Sequence, residues 1–193
     1  MNKHLLTSSQ TVGPFFAPAL LRQDAHRNVL IGAETVGERI RIEGRVLDGN
    51  AAPVPDAMVE IWQANAHGRY NHPTDQGSTL LDSSFIGFGR SGTDEDGRYW
   101  FETIKPGTVA FDEKLKQAPH ICVTVFARGL LNHLATRLYF ANEPTNALDP
   151  VLQRVPEDRR GTLLAQRQEE GTESVYHFDI ILQGTGETVF FNL

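Results

Sequence analysis

A chain of 193 residues with 40% hydrophobic and 22% charged side chains has the balance of one globular domain that buries a core without metal or disulfide staples. Its formal charge of −6, with no run rich in Lys or Arg, gives no source of attraction to a phosphate backbone and excludes nucleic acid as a partner. Cys122 is the only cysteine, no apolar run follows Lys3 and His4, and no stretch approaches a membrane span, so the expectation is a single domain, 1–193, in a reducing cytoplasm and away from membranes.

In chain order, residues 1–37 are rich in Pro, Gly and polar side chains and show no clear period, which predicts an extended N-terminal arm lying on a partner chain. From Glu38 onward Ile40, Ile42, Gly44 and Val46 alternate with Arg39, Arg41, Glu43 and Arg45, the period of a strand with one wet face. Asp48-Gly49-Asn50 turns the chain. Further strands are predicted at Met58 to Gln63, Arg98 to Ile104, His120 to Ala127, Thr136 to Phe140, Val175 to Leu182 and Thr188 to Phe191, and Asp94-Glu95-Asp96-Gly97 reads as a hairpin-type connection. Pro156 to Gln168 is the exception: Pro156 suits a first helical turn, Leu163-Leu164 is apolar and Gly171 ends the run. The fold class is all-β, a two-sheet antiparallel β-sandwich over 38–193, with the arm and one short helix near 156–168.

The sequence holds no Gly-rich phosphate loop, paired Cys motif or Gly-x-Ser-x-Gly elbow, which leaves few residues to carry chemistry. Alternation on the strand puts His120 and Cys122 on one face, where they either chelate a metal or serve as a hydrogen-bonded interior histidine and a small hydrophobe. His67-Gly68-Arg69-Tyr70-Asn71-His72 brings two imidazoles and a phenol into one loop; it is also what a solvent-facing turn looks like. Arg128, at the end of an apolar strand, and Arg137 each suit a bidentate hold on a carboxylate or an internal ion pair. In the arm, Gly13-Pro14 fixes backbone shape ahead of Phe15, a ring able to fill a partner's pocket; by itself the segment reads as linker.

Taken together, Ser9 to Phe15, Glu60 to Asn65, Gly68-Arg69-Tyr70, Gly89-Arg90, Asp96-Gly97, Ile104-Lys105-Pro106-Gly107 and Ala118-Pro119-His120 resemble, in the same order, stretches of the intradiol ring-cleaving dioxygenases. Phe126 to Gly129, Thr136 to Phe140 and Gln183 to Phe191 resemble in particular the α chains of members built from two kinds of subunit.

The family's catalytic chains hold non-haem Fe(III) with two tyrosines and two histidines. By that resemblance Tyr70 stands at the first tyrosine and His120 at the first histidine, but Cys122 replaces the second histidine. No tyrosine follows Lys105-Pro106-Gly107, where the chain reads Thr108-Val109-Ala110-Phe111. The resemblance therefore implies vestigial ligand positions at Tyr70, His120 and Cys122, no metal and no catalytic residue in this chain alone, and an obligate β subunit that carries the Fe(III). The joint activity it implies is cleavage of 3,4-dihydroxybenzoate (protocatechuate) between its hydroxyls with O2, giving 3-carboxy-cis,cis-muconate. Thr11, Gly13, Pro14, Phe15 and Arg128 would approach the partner's site, and Phe15 lacks the hydroxyl that many members have there. Two other readings are a self-sufficient enzyme with an altered site of Tyr70, His120, Cys122 and His67 or His72, and a non-enzymatic β-sandwich that binds a ligand.

Overall fold

The protein is described from a computed structural model that covers residues 19–22, 27–168 and 174–192. Eleven strands are formed within these residues: β1 (Arg39–Leu47), β2 (Met58–Trp62), β3 (Phe88–Gly92), β4 (Arg98–Ile104), β5 (Val109–Ala110), β6 (Lys116–Gln117), β7 (His120–Phe126), β8 (Leu134–Phe140), β9 (Leu164–Arg167), β10 (Ser174–His177) and β11 (Ile180–Ile181). One layer is β3-β2-β7-β8; the other is built on β1 with β4, β10 and β11, and β9 links the two by pairing with β8 and β10. The inward rows meet in one core: Ile40, Ile42 and Val46 of β1 and Phe101 of β4 face Val59 and Ile61 of β2, Ile121, Val123 and Val125 of β7, and Leu138 and Phe140 of β8. This is the sandwich that alternation in the sequence predicts, with apolar side chains at every second position of β1 and β7 turned to the core.

The pairing is not antiparallel throughout. β1 runs parallel to β10 and β11, and β8 parallel to β9. A parallel neighbour needs a crossover longer than a hairpin. Between β8 and β9 that crossover is made of three stretches of 3-10 helix, Pro144–Leu148, Leu152–Arg154 and Glu157–Leu163. The helix expected near 156–168 is the last of these, N-capped by Pro156 and tighter and shorter than the spacing suggests. Leu164–Arg167 belongs to β9, because Leu164 and Ala165 pair with Tyr139 and Phe140.

Two other predicted strands are changed by local bonds. The run Val175 to Leu182 is split: Asp179 Oδ1 takes the Arg45 N–H at 2.8 Å in place of a ladder carbonyl, and Tyr99 donates its hydroxyl to Phe178 O at 2.5 Å. Thr188 to Phe191 makes one isolated bridge, Phe191 to Ala135, rather than a strand. Two strands that the sequence hides, β3 and β9, complete the layers.

The described end of the expected arm lies on its own sandwich. Arg27 exchanges backbone hydrogen bonds with Arg90 of β3 at 2.9 and 2.7 Å, while Asn28 O and Leu30 N bond Glu102 of β4, both at 2.8 Å. The segment thus clips together the edges of the two layers. Gly89 sits under it, where an added Cβ would stand 2.8 Å from Leu30 Cδ1 and 3.1 Å from Arg27 O, which is why β3 has glycine there. Thr11, Gly13, Pro14 and Phe15 lie outside the described residues. Among the described residues no helix is long and apolar enough to cross a membrane.

Candidate functional site

β7 carries His120 and Cys122 on its outer face at one end, and Arg128 follows its other end, beyond Phe126. His120 and Cys122 point away from the core, opposite Tyr139 and Arg137 of β8, and Trp62 of β2 stands beside Cys122. A loop roofs this row. Asn65 Oδ1 accepts the His67 and Arg69 N–H groups at 2.9 and 3.0 Å, and its amide donates to Leu80 O at 2.9 Å. Gly68 takes φ +76° with Thr108 O only 1.9 Å from where a Cβ would be, so the loop closes against the chain after β4 only with glycine. Asp75 then accepts the Tyr70 N–H at 2.8 Å, and the Tyr70 ring stacks on Trp62 with centroids 5.8 Å apart.

His120 is 1% exposed. Its Nδ1 lies 2.8 Å from Ala118 O, and a carbonyl can only accept, so Nδ1 carries the proton and Nε2 faces the Tyr70 hydroxyl at 3.5 Å as an acceptor. Burial, with Arg137 beside it, holds the imidazole down to about 4, well under its ordinary 6.5. Burial pushes the Tyr70 phenol up, Cys122 adding to it, and also pushes the Cys122 thiol up against the pull of Arg137. Imidazole, phenol and thiol are all neutral near pH 7, and the charge in the row is the guanidinium of Arg137.

Arg137 is held by Gln117 Oε1 at 2.7 Å and donates to the Tyr139 hydroxyl at 3.3 Å. Tyr139 donates in turn to Asp149 Oδ1 at 3.1 Å. Asp149 is fully buried and also accepts the N–H groups of Ala118, Val151 and Leu152 at 2.8, 2.9 and 2.7 Å. One carboxylate therefore ties the crossover after β8 to the segment that positions His120. The sequence leaves Arg137 open between a bidentate hold on a carboxylate and an internal ion pair; in the structure it is an internal member of this network, reaching Asp149 through Tyr139. Asp149 was missed, although Asp149-Pro150 ahead of Val151 is the kind of capping signal that could have found it.

The other loop histidines do not join the row. His67 is exposed, and His72 points Nδ1 at Thr74 Oγ1, 2.7 Å away. Among the described residues no three His, Cys, Asp or Glu side chains converge as a metal cage. Where the resemblance leads one to expect a second tyrosine, after Gly107, the chain forms β5, a two-residue strand paired with β6.

At the far end of β7, about 20 Å of strand from His120, Arg128 is 73% exposed and its Nε meets Asp56 Oδ2 at 2.9 Å. It is the one residue of the expected contribution to a partner's site that falls within the described residues.

The model of a dioxygenase family, described as "Dioxygenase", matches residues 11–184. The protocatechuate 3,4-dioxygenase alpha chain of Burkholderia cepacia is 43% identical over 97% of this chain and 97% of its own length. The chain belongs to the intradiol dioxygenase family. Within that family the beta chain of the Burkholderia cepacia enzyme is 41% identical, over 87% of this chain and 74% of its own. The dioxygenase domain of a dioxygenase carbohydrate-binding fusion protein from Streptomyces sp. SirexAA-E has a similar fold, with a TM-score of 0.63 at 24% identity and 95% and 96% of the two chains covered.

Proposed function

We propose that this chain is the α subunit of a protocatechuate 3,4-dioxygenase, paired with a β subunit that holds the Fe(III) and carries out the ring cleavage. The observation that carries the reading is the end-to-end similarity to an α chain. The cluster on β7 supports it. The family works with non-haem iron, and a ferric ion calls for several anionic or imidazole donors. Here Tyr70 and His120 are the donors that remain, the phenol is held in its neutral form, and Arg137 places a fixed positive charge beside the place a cation would take. These residues do not fit iron, and the pocket is vestigial at Tyr70, His120 and Cys122.

The contribution of this chain to the reaction is then structural and electrostatic. Thr11, Gly13, Pro14 and Phe15 of the arm form part of the wall of the partner's site, and Arg128 supplies a guanidinium facing the anionic substrate, 3,4-dihydroxybenzoate. Exposure of Arg128 in the single chain agrees with a role at an interface. The lone thiol of Cys122 suits a reducing cytoplasm.

Purification tests the reading. Produced alone, the chain is expected to bind no iron and leave 3,4-dihydroxybenzoate intact; produced with a β chain that has two tyrosine and two histidine ligands, it should yield an iron-containing complex that opens the ring with O2. Stoichiometric iron and ring cleavage in the lone chain would overturn it.

A further inference from the structure

Arg128 lies beyond the last residue of β7, and an exposed arginine there has many rotamers. One ion pair limits them among the described residues: Oδ2 of Asp56, in the turn that leads into β2, stands 2.9 Å from Nε. The two side chains are unequal. That of Asp56 is 30% exposed against 73% for Arg128, so the acid is the anchor and the base the projecting arm. The anchor stands on firm ground: Thr93 Oγ1 accepts the Ala57 N–H at 3.0 Å and donates to Val54 O at 2.7 Å, bracing the backbone on both sides of Asp56. The second oxygen, Oδ1, is enclosed and has no hydrogen-bond partner among the described residues, so this carboxylate is turned toward Arg128 without a competing internal donor.

We infer that Asp56 is a positioning residue: by holding Nε it turns the paired Nη groups of Arg128 outward as a fork preset for a carboxylate in the partner's site. An arginine presents two parallel donors to a carboxylate through either its Nε edge or its Nη edge. With the Nε edge engaged by Asp56, the Nη edge remains as the bidentate face. Fixing it before binding lowers the ordering entropy that substrate capture would otherwise have to overcome. The proposal rests on the reading that Arg128 faces the β subunit's site.

The test is a double-mutant cycle in the αβ complex, reading KM and kcat for 3,4-dihydroxybenzoate together with iron content and Tm. Arg128→Ala is expected to raise KM about tenfold, and Asp56→Ala about threefold, with kcat and iron content unchanged in both. Asp56→Glu, which keeps the carboxylate, is expected to restore most of the loss. In the Arg128→Ala background Asp56→Ala should add nothing. If Arg128→Ala raises KM while Asp56→Ala leaves it at the wild-type value, the positioning role is lost and the reading of Arg128 stands. The positioning role is lost equally if the effect of Asp56→Ala persists undiminished without Arg128, since it then acts through the fold. Wild-type kinetics for Arg128→Ala would remove Arg128 from the site and the inference with it.

Discussion

The two ends of β7 use the same chemistry, a guanidinium with a carboxylate, in opposite ways. At the His120 end Arg137 is roofed over, tied through Tyr139 to the buried Asp149, and surrounded by groups that burial keeps neutral. At the other end Arg128 projects into solvent and, among the described residues, pairs with Asp56. A polar cluster closed on itself stabilises a fold and offers nothing to a ligand; a cation held by one edge on an exposed terminus contributes little to the fold and is available to a partner. On the proposed reading, the ligand positions at Tyr70, His120 and Cys122 serve as architecture, and the exposed end is what the chain offers to a partner's site.

The largest effect that separates the two ends is expected at Asp149. Its oxygens accept three backbone N–H groups and the Tyr139 hydroxyl, so Asp149→Ala leaves four donors without their acceptor in a dry interior. The loss should be about 4 kcal/mol of unfolding free energy, measured as a lower denaturant midpoint. A change under about 1 kcal/mol would mean that water or another acceptor serves these donors, and would erase the contrast with Asp56.

How far the sequence discloses this arrangement depends on what each element is made of. β1, β4 and β7 are legible because alternating apolar and polar side chains record one buried and one outer face. β3, Phe-Gly-Arg-Ser-Gly, is not: its glycines answer to the segment at Arg27 and Leu30 that crosses it, a contact remote in sequence. β9 reads as helix because Pro156 and Leu163-Leu164 mimic helical signals, while pairing with β8 decides the outcome. Of the site, the shared face of His120 and Cys122 follows from strand geometry, whereas the neutral state of the row and the place of Arg137 within it require the roof formed by the Tyr70 loop. Asp56 gives no sign in the sequence beyond sitting in a turn, since its importance comes from Arg128 arriving beside it.

A second, smaller effect is set by pH. His120 is neutral in the folded chain down to about pH 4 and gains its proton near 6.5 when unfolded, so the unfolded state binds more protons between those values. The stability tied to it is fully present above about pH 6.5 and is lost as pH falls toward 4, on the order of 3 kcal/mol in all. His120→Gln should flatten that part of the stability profile, measured by denaturant unfolding from about pH 7.5 to about pH 4.5. An unchanged slope would show the imidazole to be protonated or solvated in the folded chain.

The smallest change in stability is expected at Arg128, and its smallness makes it informative. The pair with Asp56 is mostly exposed on the Arg128 side, and such pairs contribute between nothing and about 1 kcal/mol. Arg128→Ala should therefore shift unfolding by no more than about 0.5 kcal/mol, while the proposed role has it weaken substrate use in the complex. Arg137→Ala should do the reverse, because the groups it leaves behind, Gln117 and Tyr139, belong to the network that shapes the crossover. If both substitutions destabilised the chain equally, the two ends of β7 would be one structural system, and the assignment of the exposed end to the partner's site would lose its physical ground.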